Sequence, residues 1–84
     1  MILSDFERAA GMREFQLRER YRVLVFGPEG WVIHNTDAKG HSVDSYPLLS
    51  FSDVEDRLSD LPNALDEARQ LEEERQAKAS PRAD

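Results

Sequence analysis

The chain reads as an α+β domain: a three-stranded antiparallel meander packed with an N-terminal helix and a broken C-terminal helix pair, in the order α-β-β-β-α-α. Three observations predict this. Residues 20–46 alternate strand-like runs with two turn clusters, Gly27-Pro28-Glu29-Gly30 and Asp37-Ala38-Lys39-Gly40. From Val54 to Leu71 apolar residues recur every three or four positions, the spacing of one helical face. Ser-x-x-Glu occurs twice beside apolar residues, at Ser4–Glu7 and Ser52–Glu55, which is the spacing of a helix capping box.

The first element is a helix over about residues 5–18. Leu3, Phe6, Ala10 and Leu17 fall roughly on one face, with Ala9 beside them, while Met12 and Phe15 fall off it and Gly11 weakens the middle. A competing reading ends the helix at Gly11 and starts a strand, since Phe15, Leu17, Tyr21, Val23 and Val25 share one parity. Glu19 interrupts that alternation, and the Glu/Arg/Gln-rich stretch favours helix.

Residues 20–26 and 31–36 are strands joined by the first turn, so 21–36 forms an antiparallel hairpin. A third strand over 41–46 follows the second turn. Pro47 cannot donate to a ladder, so it ends that strand or sits at an edge. Two helices follow, over about 53–60 and 63–78. Ser52 caps the first with Phe51 as hydrophobic staple, Pro62 breaks the stripe, and Asn63 or Asp60 caps the second. The helices pack on one sheet face, or the N-terminal one covers the opposite face. One domain over residues 1–78 and a frayed tail over 79–84 are expected.

Composition narrows the chemistry. The 84 residues are 39% hydrophobic, enough for one core, and contain no cysteine, which removes disulfides, thiolate nucleophiles and thiol-ligated metal centres. Residues 1–5 do not resemble a secretory leader, and the longest apolar run, Val23–Phe26, is far too short for a bilayer span. A cytoplasmic location with no membrane partner is therefore expected. The net charge of −6 is uneven: residues 51–84 carry ten acidic and five basic side chains, whereas residues 8–22 carry five arginines and two glutamates.

Sites for catalysis are poorly supported. His34, Asp37 and His41 flank one turn and make the best candidate metal set, but two histidines and a turn aspartate read more simply as a turn cap and solvated strand side chains. Asp44 with either histidine would make a dyad without a positioned nucleophile. Gly27–Gly30 lacks the lysine and hydroxyl of a phosphate-binding loop and is followed by a strand rather than a helix. No cofactor, metal or catalytic residue is expected. Arg8, Arg13, Arg18, Arg20 and Arg22, interleaved with Phe15 and Tyr21, resemble a nucleic-acid surface, but neighbouring Glu14 and Glu19 and the acidic whole disfavour direct nucleic-acid binding.

The acidic end points instead to a non-catalytic protein-binding or regulatory module, acting on a partner with a basic surface through its C-terminal helix and a sheet face. The candidate contact residues are Asp56, Asp60, Glu67, Glu72, Glu73 and Glu74, with Leu71 where the apolar stripe outruns the sheet, and Trp31 and Tyr46 as aromatic anchors. Trp31 and Tyr46 are equally natural as core. The overhang at Leu71 also makes a homodimer through the C-terminal helix a candidate. The alternative is an acidic inhibitor that imitates nucleic acid in the basic channel of a nucleic-acid-handling enzyme, as phage anti-defence proteins do. A small metal-dependent enzyme built on His34, His41 and Asp44 is a distant third.

Overall fold

A computed structural model describes residues 2–79, which form an α+β arrangement of four antiparallel strands and three helices. Of the tail expected over residues 79–84, Ala79 is the last residue of a helix and residues 80–84 lie outside the described residues.

Helix α1, Asp5–Ala9, begins as its capping box dictates. Ser4 Oγ accepts from the Glu7 amide at 3.1 Å, and the Glu7 carboxylate accepts from the Ser4 amide at 2.9 Å. The helix does not continue to residue 18. Gly11 adopts φ 99°, a left-handed conformation that glycine enters without steric penalty, and the chain leaves as strand β1, Arg13–Gln16. The fourth strand is the correction to the expected three. In a helix Phe15 and Leu17 would point roughly 200° apart, whereas a strand sends them to the same side. Both are buried. The parity does not extend to Val23 and Val25, because Tyr21 (φ 63°) sits in the connecting turn and reverses which side odd residues face.

β2, Arg22–Gly27, and β3, Gly30–Thr36, form the expected hairpin, closed by Pro28 and Glu29 with Phe26 opposite Trp31 and Leu24 opposite Ile33. Asp37 shapes the next turn, its Oδ1 accepting from the amides of Lys39 and His41, each at 2.9 Å. β4, Ser42–Leu48, pairs with β3 and runs through Pro47 as an edge strand. The order β1-β2-β3-β4 is a simple meander.

One sheet face carries the main core. Phe15, Leu17, Leu24, Phe26, Trp31 and Ile33 meet Val54 of helix α2, Phe51–Arg57, its C-cap Leu58, and Ala68 of helix α3, Pro62–Ala79. Trp31 is central, with Phe26, Phe15 and Phe51 ring centroids at 4.8, 5.9 and 5.9 Å. The expected capping box at Ser52 does not form. Ser50 precedes the helix without a side-chain cap, and α2 starts at Phe51. That start places Phe51, Val54 and Leu58 on one face at spacings of three and four, with Phe51 against Trp31. Pro62 opens α3 at the first-turn position where its missing amide costs nothing.

The opposite face is covered in part by residues flanking α1, so the N-terminal segment lies on that side although the helix itself does not cover it. Leu3, Ile2 and Met12 pack on Val23 and Val25, while α1 itself buries nothing. No helix among the described residues is long and apolar enough to cross a membrane.

Candidate protein-interaction site

The nine candidate contact residues separate into two groups. Trp31 is 4% exposed and belongs to the core, so it is not a surface anchor. Its indole N–H donates to Glu72 at 2.9 Å. Glu72 in turn accepts from Arg75 Nε and a terminal guanidinium nitrogen, both at 3.0 Å, and from Gln76 at 2.8 Å. With its side chain 14% exposed, Glu72 is a structural residue that ties α3 to the sheet, not part of an outward acidic row. Leu71 packs against the main core. Asp60 pairs with Arg18 at 3.3 Å across an exposed contact. Trp31 and Glu72 correct the sequence reading, whereas Asp60 stays exposed and Leu71 is half-buried.

Glu67, Glu73 and Glu74 remain outward, and Asp66 joins them. On α3 the exposed residues Asp66, Glu67, Gln70, Glu73, Glu74 and Ala77 project within an arc of roughly 120° that holds no cation. None of the four carboxylates makes an ion pair among the described residues. Asp66 was readable in the sequence, since it lies seven positions before Glu73 on the same face. Asp56 is also exposed, on α2. Tyr46 is 36% exposed at the β4 edge, near the more open Val43 and Leu49, neither of which has a helical or turn pattern to flag it.

The apolar stripe does not outrun the sheet. Val54, Leu58 and Ala68 are fully buried, Leu61, Leu65 and Leu71 pack on the core, and beyond Leu71 α3 presents Glu72, Glu73, Glu74, Arg75, Gln76 and Lys78. The α3 leucines are thus spent largely on the sheet rather than on an outward apolar stripe.

The arginines of the first third are largely engaged. Arg8 bonds Glu14 at 2.6 Å, Arg22 lies 3.5 Å from Glu19, and Arg20 sits over the Tyr21 ring at 5.4 Å. His34 Nδ1 lies 2.9 Å from Ser42 Oγ, and His41 is 3.7 Å from Asp37, whose carboxyl the His41 and Lys39 amides hold below its ordinary value. Among the described residues no group of three or more His, Asp or Glu side chains converges. Two open clefts of about 400 and 450 Å³ flank Arg75, one including Arg13, Phe26, Leu71 and Lys78, the other Pro47, Leu49, Phe51 and Gln76. Neither includes a histidine.

Glu14 and Glu72 make the fold acid-sensitive. Burial acts to raise each carboxyl, but donors outweigh it. Glu14 accepts from Arg8 and the Leu3 and Ile2 amides, Glu72 from Arg75, Gln76 and Trp31, and both fall below the ordinary value of 4.5. A depressed folded-state pKa contributes stability that is complete above the unfolded value and lost as pH falls through the folded one. Thermal unfolding is therefore expected to be steady from pH 7 to 5.5 and to fall steeply below about pH 4.5. Glu14→Gln should start lower at pH 7 and lose less on acidification, and a melting temperature equally pH-dependent in both proteins would refute the assignment.

The site thus belongs to a class: a four-stranded meander with two helices on one face and an unpaired acidic surface on the longer one. No protein-family model, curated protein or solved structure matches the chain.

Proposed function

We propose that this protein is a non-catalytic binding module that docks a basic surface of another protein through the outward face of α3. The observation that carries the reading is that arc of Asp66, Glu67, Glu73 and Glu74, exposed, held on a rigid scaffold and making no ion pair among the described residues. Fixed charges of one sign speed encounter with an opposite partner and select its register. Enzymatic readings have less support, because the histidines are engaged in local turn and strand contacts.

The nucleic-acid-mimic reading draws on the same helix but with fewer charges. With Glu72 and Asp60 engaged internally, two carboxylate pairs about 10.5 Å apart along the axis are left, a poor copy of a continuous phosphate row. Self-association through α3 is not part of the proposal, since the stripe leucines pack on the sheet.

The test is charge reversal. Lysine at positions 66, 67, 73 and 74 should leave the circular dichroism spectrum unchanged, because all four side chains are exposed. Affinity for a protein partner captured by the wild-type chain should fall by about tenfold or more, from the loss of several contacts worth about 0.2–1 kcal/mol each. Wild-type binding should also weaken with salt. An unchanged affinity, or a captured partner with an acidic contact surface, would remove the reading.

A further inference from the structure

Strand β4 is open along its outer edge. Among the described residues it pairs only with β3, and Ser42 to Pro47 are all exposed. Which backbone groups face outward follows from the ladder. Thr36 N donates to Tyr21 O at 2.8 Å and Leu17 N to Arg22 O at 3.3 Å, so odd residues of β2 bond β3 and even ones bond β1. Antiparallel alternation then turns Trp31, Ile33 and Asn35 toward β4, where Leu48, Tyr46 and Asp44 receive them. The carbonyls of Ser45 and Pro47 point outward, whereas Val43 is the extra residue of a register shift opposite Asn35 and Thr36. From Asp44 onward only one amide does so, that of Ser45, because Pro47 has none.

This edge resists a second copy of itself. Two-fold pairing centred on Ser45 sets Pro47, which has no donor, opposite Val43 of the other copy. Pairing centred on Asp44 sets two carboxylates face to face. The edge nevertheless carries apolar surface: of the five exposed large hydrophobic residues among the described residues, Val43 and Tyr46 lie on β4 and Leu49 directly follows it. Asp44 accepts from Asn35 Nδ2 at 2.6 Å and pairs with no cation among the described residues. An acceptor-rich edge with an uncompensated carboxylate suits a strand that brings donors and positive charge.

We propose that an extended, basic segment of the partner adds to the sheet as a fifth strand along β4, its amides meeting the Ser45 and Pro47 carbonyls and a lysine or arginine meeting Asp44. This rests on the reading of the protein as a module for a basic partner, and it places a second contact away from α3.

The probe is a seven-residue peptide of alternating lysine and valine, followed by backbone amide NMR of the whole chain. Added peptide should shift signals from Val43 to Leu48 and slow hydrogen exchange at Ser45. Glutamate in place of lysine, or N-methylation of alternate peptide amides, should weaken binding at least tenfold. Ser45→Pro, which removes an outward donor and no bond to β3, should do the same, and Asp44→Asn should weaken binding several-fold. Shifts confined to Asp66–Glu74 would overturn strand addition while leaving the α3 reading intact. Undiminished binding by the N-methylated peptide, or no binding at all, would also overturn it. If the α3 charge-reversed chain keeps the β4 shifts, the α3 reading stands or falls on its own partner assay.

Discussion

Replacing Ile33 by alanine should lower the unfolding free energy by about 3–4 kcal/mol and the melting temperature by roughly 15–25 °C. Ile33 is fully buried, paired with Leu24 on one side and Tyr46 on the other, and roofed by the α2–α3 face of the core. A strand held on both sides cannot move in to fill the space, so the lost methyl groups leave a cavity rather than a collapsed surface. For 84 residues the total stability is about 4–12 kcal/mol, so this single change removes a large share of it. Leu49, 90% exposed, is the matched control, and its alanine variant should stay within about 0.5 kcal/mol of the parent. Urea denaturation followed by circular dichroism measures both. An Ile33→Ala loss below about 1 kcal/mol would mean that β3 does not lie beneath the helices.

The elements whose local signals agree were legible from residues alone. Ser4 and Glu7 form the capping box that their spacing demands, and the strand-turn-strand pattern from Arg22 to Thr36 leaves only one register in which Phe26 meets Trp31. The stretch from Met12 to Gln16 was legible only as the competing reading, a strand after Gly11 signalled by the parity of Phe15 and Leu17, because its helix-favouring composition competes with a tertiary requirement. Only a strand turns Phe15 and Leu17 to the same buried side, and composition carries no information about what lies above them. Ser52 shows the same conflict in reverse. Its capping pattern is sound locally, but burying Phe51 against Trp31 starts α2 two residues earlier than the box allows. For the candidate contacts, helical periodicity is enough to place Glu67, Glu73 and Glu74 outward. Glu72 escaped it because the residue that claims its carboxylate, Trp31, is 41 positions away.

That long-range bond makes Glu72 the most informative single acidic residue to change. Glu72→Ala should cost about 2–3 kcal/mol, whereas Glu73→Ala and Glu74→Ala should each stay within about 0.5 kcal/mol of the parent. Removing the carboxylate leaves the Trp31 N–H without its acceptor inside a half-closed cleft and strips Arg75, only 23% exposed, of its two-point partner. An unpaired buried donor and an uncompensated guanidinium are each more costly than the net worth of the bonds that held them. Glu72→Gln retains one acceptor for the indole but no charge for Arg75, so it should fall between parent and alanine. Thermal melts rank the four variants, and because Trp31 is the only tryptophan its emission reports the contact directly. A red shift is expected for Glu72→Ala and none for its two neighbours. Three equal melting temperatures with unchanged emission would return Glu72 to the solvent-facing row and undo the anchoring of α3 on the sheet.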